Sequence, residues 1–252
     1  MRFALLGSGS KGNATVVTHA ADCILIDCGF SCQETVHRLD RLGLVPEQIN
    51  AILVTHEHGD HVRGVSVLSR KYDIPVWMTA GTRAACKFEP SVRVTEFNPH
   101  QSFTLGCLHV QPVPVPHDAR EPTQFVITEG QQRLGILTDT GSTTPHILDA
   151  LHGVDALILE WNHDQHMLAE SSYPESLKRR VGSDYGHLAN HQSLALLQSL
   201  DTGQLRFLIA AHISEKNNST ELINQLLNEF DAPLDCQLLM ADQQAGLDWC
   251  QL

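Results

Sequence analysis

Apolar residues along this chain come in short, nearly unbroken runs set between turns. Residues 2–6, 14–18, 23–26, 51–54, 75–79, 92–97, 102–105 and 108–115 read as strands in the first half. Residues 124–128, 133–137, 156–159, 207–211, 236–240 and 247–252 do so in the second. Between several of them the spacing turns helical. Ser31-Cys32-Gln33-Glu34 has the form of a capping box, so a helix is expected from there to about residue 44. Val62, Val65 and Leu68 recur at helical spacing, and further helices are expected over 82–88, 174–181, 190–200 and 220–230. The strands over 92–115 read as a mostly antiparallel run. Prolines at 112, 114 and 116 place the last of them at a sheet edge or near its end. The pattern is that of an α/β (α+β) chain.

Between the run at 51–54 and the helical spacing after it stands Thr55-His56-Glu57-His58-Gly59-Asp60-His61, in the order H-x-H-x-D-H. On extended backbone, side chains two apart point the same way, so His56 and His58 can hold one ion together. Asp60 and His61 follow the Gly59 turn and can face a second ion. Three imidazoles and a carboxylate in six residues form a mixed nitrogen and oxygen set that suits zinc, manganese or iron. Earlier in the chain, Gly7-Ser8-Gly9-Ser10-Lys11-Gly12-Asn13 follows the first strand. Its backbone N–H groups, with Ser10, Lys11 and Asn13, could hold a phosphate; an ordinary hairpin loop is the alternative. The order of a Walker loop is absent.

Composition narrows the picture. In 252 residues, 42% are hydrophobic and 18% charged, which favours a packed core over disorder. No linker-like run divides the chain, so one domain over 1–252 is expected. No apolar stretch approaches 18 residues, and no membrane span is expected. Residues 1–6 are too short for a signal-peptide core. Seven cysteines without a C-x-x-C pair point to reduced thiols in the cytoplasm. The formal net charge of −12 argues against coating a polyanion non-specifically, yet leaves room for a local cation-bearing cleft. The concentrated basic cluster Lys178-Arg179-Arg180 is either a solvated helix face or a phosphate contact.

The H-x-H-x-D-H stretch resembles the signature of the metallo-β-lactamase-fold hydrolases, and nearly the whole chain is similar to their YycJ-like branch, described as nucleases. The resemblance implies a four-layer αβ/βα sandwich with a dinuclear metal site at one edge. It implies His56, His58 and His117 on one divalent ion and Asp60, His61 and His212 on the other, with Asp139 of Thr138-Asp139-Thr140-Gly141 bridging. On the residues alone, His117 is one of fifteen histidines. Asp27 corresponds to an aspartate that braces the histidine loop, though it could simply start a turn. Glu160, at a strand end, is a second candidate brace. Gly186-His187-Leu188 resembles an element of the ribonuclease Z-like and YycJ-like relatives, which puts His187 near the scissile phosphate as a proton donor outside the ligand set. Asn162 and His163 belong to a branch-specific element near the site, and Lys216 and Asn217 follow the last ligand as candidate substrate contacts. His146 and His152 read as non-ligands.

Two zinc or manganese ions (iron is compatible) sharing a carboxylate also share a water and lower its pKa, with Asp60 and His187 entering catalysis. Three functions remain open. A nuclease or phosphodiesterase, possibly an exonuclease, on DNA or RNA is the leading reading. A hydrolase of a small ester, thioester or lactone uses the same ions. A metal-binding protein without turnover fits least, because structural zinc sites are closed. The oligomeric state has no signature in the sequence.

Overall fold

The computed structural model describes residues 1–228 and 235–252. In chain order the elements begin with β1 (Arg2–Gly7), β2 (Ala14–His19), β3 (Asp22–Ile26), α1 (Cys32–Arg41) and β4 (Ala51–Leu53). Next come α2 (Gly59–Val62), α3 (Val65–Tyr72), β5 (Val76–Thr79), α4 (Ala80–Ala85) and β6 (Val94–Phe97). The middle holds β7 (Phe103–Leu105), β8 (Leu108–Pro114), β9 (Thr123–Thr128), β10 (Arg133–Leu137), α5 (Pro145–Leu151) and β11 (Ala156–Glu160). The last part holds α6 (Gln165–Glu170), α7 (Glu175–Val181), α8 (Asn190–Gln198), β12 (Phe207–Ala211), α9 (Thr220–Asn228), β13 (Gln237–Met240) and β14 (Leu247–Gln251).

Two seven-stranded sheets form, in the orders β14-β1-β2-β3-β4-β5-β6 and β13-β12-β11-β10-β9-β8-β7. The unbroken apolar runs are explained by burial on both faces. On β11, Ala156 and Ile158 enter the core between the sheets, while Leu157 and Leu159 enter the core under α5, α8 and α9. On β4, Ala51 and Leu53 face the partner sheet and Ile52 faces α1 and α3. The result is the four-layer sandwich the resemblance implied. Emptying one such position, as in Leu157→Ala, costs about 2–5 kcal/mol.

Each sheet has a parallel half. β3 through β6 run parallel in the first, and β10 through β13 in the second. The carboxyl ends of β3, β4, β10, β11 and β12 meet at one edge, where parallel sheets place their ligands. The backbone is forced at this edge. Among the described residues, Asp27, Asp139 and His212 are three of five non-glycine positions with positive φ, at 61°, 51° and 51°. Asp27 and His212 directly follow their strands and Asp139 lies two residues beyond β10, and a left-handed residue there turns the side chain off the ladder into the edge.

Several expectations shift. The Ser31 hydroxyl accepts from the Glu34 N–H, but Glu34 turns to Arg38 (2.6 Å), so only half of the capping box forms, and α1 ends at Arg41. The helix after the histidine motif is broken into α2 and α3 at Gly64, whose N–H donates to Cys28 O (2.8 Å) and where a side chain would strike the Phe30 carbonyl. β8 is not an edge strand, since it lies between β9 and β7. Yet β7 pairs only with Leu108–Val110, so Pro112 and Pro114 fall where no donor is needed on that side. β6 pairs parallel with β5 rather than antiparallel. The helix expected over 220–230 is seen to Asn228, its last two positions lying outside the described residues. The short helix α6, capped by Asp164, has no counterpart in the sequence reading. All seven cysteines are free thiols. Among the described residues, no helix is long and apolar enough to cross a membrane.

Candidate metal centre and cleft

β4 delivers the histidine motif to the sheet edge in extended form, and α2 then carries Asp60 and His61 in its first turn. Gly29 lets this turn close in. A side chain at Gly29 would run into the Asp60 backbone, whose carbonyl instead accepts from the Asn13 N–H at 2.8 Å. The donor atoms then converge. His58 Nδ1 lies 3.1 Å from His56 Nε2 and 3.2 Å from His117 Nε2. His61 Nε2 lies 3.1 Å from Asp139 Oδ2 and 3.7 Å from Asp60 Oδ2. His212 Nε2 lies 3.9 Å from Asp60 Oδ2, and its Nδ1 lies 3.0 Å from Asp139 Oδ1. The seven candidate ligands thus lie together, with Asp139 reaching toward His61 and His212 through its two oxygens.

The outer atoms of these rings are anchored, which fixes what faces inward. His117 Nδ1 donates to the Gly186 carbonyl (3.0 Å), which leaves Nε2 as a lone pair turned to the cluster. His56 Nδ1 meets Thr55 Oγ1 at 2.9 Å. Asp27 is buried; its Oδ1 accepts from the Thr55 N–H (2.9 Å), and its Oδ2 meets Thr55 Oγ1 and His61 Nδ1 (both 2.8 Å). Glu160, fully buried, meets His187 Nδ1 (2.9 Å) and His212 Nδ1 (3.1 Å) with Oε1. Its Oε2 accepts from the N–H groups of Leu188 (3.0 Å) and Thr140 (3.2 Å). Asp27 stands behind His61, whereas Glu160 lies between His187 and His212 and, with Asp139, offers atoms within 4.8 Å of both that could themselves hold an ion.

Burial and the buried carboxylates set opposite directions for the rings of the cluster. Burial pushes His56 well below the usual imidazole range, helped by the neighbouring rings of His61, His117 and His58. Burial also opposes charge on His61, but Asp139 and Asp27 outweigh it and hold that ring well above its ordinary value. For His212, burial is likewise overcome by Asp139 and Glu160, and the ring rises to about 10. Burial alone would raise Glu160; His187 and His212 hold it at about 2. Asp139 Oδ2 is buried without a hydrogen-bond donor. His56, His58 and His117 offer atoms within 4.8 Å of one another, and so do His56, His61 and Asp139. Anchored imidazoles, an orphaned carboxylate oxygen and no thiol make a donor set that fits divalent metal ions.

Over the cluster opens a cleft of about 400 Å³, lined by His58, Asp60, Asp139, His187 and His212 on its floor. His187 is 20% exposed there. The other expected contacts divide. Ser10, Asn162 and Asn217 line the cleft, and Asn162 also donates to the His212 carbonyl (3.2 Å). Asn13 does not line it. Its amide is spent on Gly9, on Asp60 and against His61, so it holds the glycine-rich loop to α2. His163 is buried beside Asn162 and faces a different cavity. Lys11 pairs with Glu215 (2.6 Å), tying together the loops that carry Ser10 and Ser214. Lys216 lies 5.6 Å from the Tyr173 ring. Of the basic cluster, Lys178 and Arg179 line the cavity that His163 faces, and Arg180 lines the cleft and pairs with Asp118. Tyr173, Leu177 and Ile213 also line the cleft and carry no motif. His152 is exposed beside Asp201, and His146 is likewise away from the cluster.

Comparison with known proteins decides the family. The model of the beta-lactamase superfamily domain matches residues 23–213. The chain belongs to the metallo-β-lactamase superfamily. Exodeoxyribonuclease YycJ of Bacillus anthracis is 34% identical, over 91% of this chain and 90% of its own length. Exodeoxyribonuclease WalJ of Streptococcus pneumoniae is 30% identical, over 98% and 92%. The metallo-β-lactamase-fold protein YhfI from Bacillus subtilis superposes with a TM-score of 0.74 at 16% identity, covering 96% of each chain. This is a metal-dependent hydrolase.

Proposed function

We propose that the chain is an exodeoxyribonuclease that cleaves phosphodiesters over two divalent cations, zinc or manganese, in the cytoplasm. The observation that carries this reading is His187. It stands in the cleft beside the cluster, 3.5 Å from Asp139, with Nδ1 turned to the buried carboxylate of Glu160 and Nε2 left as its free nitrogen. A departing nucleotide oxygen is a poor leaving group and needs a proton, whereas a thiolate does not. The two relatives named as exodeoxyribonucleases match the chain almost from end to end.

His56, His58 and His117 would hold one cation, and Asp60, His61 and His212 the other, with Asp139 between them. Bound there, such cations supply Lewis acidity and an activated water. The chain's own side chains do the rest. Asp27 and Glu160 fix the orientation of His61, His187 and His212. His187 Nε2 delivers a proton to the leaving oxygen, and the edge of the sandwich keeps the scissile group against the cluster.

Purified, metal-loaded protein given 5′- and 3′-labelled single-stranded DNA, the matching RNA, bis-p-nitrophenyl phosphate and a thioester in parallel tests the proposal. Stepwise shortening of DNA from one end is expected. Turnover of the thioester with no cleavage of any phosphodiester would assign the site to small esters instead.

A further inference from the structure

The floor of the cleft is accounted for, but one wall is not. Tyr173 sits in the turn between α6 and α7, half-buried, with its ring on the cleft. A ring that only packed α7 against the sheet would be covered by apolar neighbours. Tyr173 instead has the Lys216 ammonium at 5.6 Å on one side and the cleft beside it. Leu177, one helical turn on, and Ile213, next to His212, extend the same apolar strip. Asn217 closes it. This side chain is 1% exposed, lines the cleft, and its Oδ1 is buried without a donor. An orphaned buried acceptor on a ligand-sized cleft awaits a donor from outside the chain. At the mouth stands Arg180, whose side chain is 55% exposed and paired with Asp118.

Together these are a flat aromatic face, an apolar strip, a buried acceptor and a cation, beside a phosphodiester-cleaving floor. A nucleobase presents a flat π-face and N–H donors, and its phosphate carries the negative charge. We propose that Tyr173, with Asn217 and Arg180, forms a subsite for one terminal nucleotide: the base stacks on Tyr173, an N–H of the nucleoside donates to Asn217, and Arg180 exchanges Asp118 for the phosphate. The proposal rests on the nuclease reading above and adds where the nucleotide sits. The small volume limits the subsite to about one nucleotide, with the Lys11–Glu215 pair joining the loops on the Ser10 and Ser214 side. Tyr173 is a positioning residue; it touches the base, not the reacting atoms.

The test compares two substrates, a short single-stranded DNA and the same strand with an abasic terminal residue, using metal-loaded protein. Tyr173→Ala is expected to raise KM for the intact strand roughly 5- to 150-fold, the range of alanine substitutions at base-stacking aromatics, with a smaller change in kcat. Tyr173→Phe keeps the ring and should stay within about threefold of the parent. For the abasic strand, parent and Tyr173→Ala should have similar KM values. Asn217→Leu should raise KM on the intact strand more than on the abasic one. Equal losses on both strands, or no loss on either, would overturn the subsite while leaving the nuclease reading in place. A parent protein that cuts neither strand yet turns over a thioester would overturn both.

Discussion

On the floor of the cleft, five of the seven candidate ligands are buried, with His58 and Asp60 half-exposed, and Asp139 and His212 are held in left-handed backbone. Most of the rings have their outer nitrogen tied to a carbonyl, a hydroxyl or a carboxylate. At the rim, Arg180 lines the cleft from a short helix, while Lys11 and Lys216 sit on loops next to Ser10 and Asn217; all three are exposed and meet surface carboxylates or the face of Tyr173. The floor is preorganised and cannot adapt. The rim is adaptable, and its ion pairs contribute little to stability, because exposed pairs are worth about 0–1 kcal/mol. The fixed charge arrangement sits on strand ends and the first turn of α2, while the groups at the rim can change partners.

That contrast can be broken at the floor first. Asp139→Ala should remove metal from both halves of the cluster and bring turnover of any substrate to background, as metal analysis and a bis-p-nitrophenyl phosphate assay would record. If the variant kept both ions, the bridging role would be lost. His187→Ala should retain its metal and lower DNA turnover by roughly 10²–10⁴-fold. The same change should hurt the aryl phosphodiester less, since nitrophenolate leaves without a proton; equal losses would remove His187 from the proton-donor role. Glu160→Gln keeps the shape and takes away the charge behind His187 and His212, so metal affinity or activity should fall about 10- to 100-fold. A change within twofold would show that the carboxylate is dispensable.

At the exposed rim the effects should be much smaller. Lys11→Ala should leave thermal stability unchanged within about 1 kcal/mol. It should make the salt dependence of oligonucleotide binding shallower by roughly 0.7 in log–log slope, the share of one phosphate contact to a single strand. A parent slope steeper than about −2 would require more contacts than Lys11, Arg180 and Lys216 provide. His152→Ala, beside Asp201 and far from the cleft, should alter neither metal content nor rate.

The same contrast explains what was legible in the sequence. His56, His58, Asp60 and His61 lie within six residues, so local geometry alone suggests a shared site. His117, Asp139 and His212 stand far apart in the chain and gain meaning only through the order of motifs, yet each follows a strand that the apolar runs mark well. Both sheets were legible for the same reason: strands buried on two faces leave unbroken apolar runs. The wall left no such trace. Tyr173 is a lone aromatic in a turn, and only the folded chain sets it beside the cleft. Of Lys178, Arg179 and Arg180, the sequence cannot tell which one faces the site, because that depends on how a seven-residue helix is rotated. The Lys11–Glu215 pair joins residues 204 positions apart, which no local pattern encodes.

Two cations held through these seven side chains are what the cluster is expected to bind. Native mass spectrometry of the zinc- or manganese-reconstituted protein measures this directly. The spectrum should show each chain with two metal ions. A chain that takes up one ion or none under saturating metal would contradict the account.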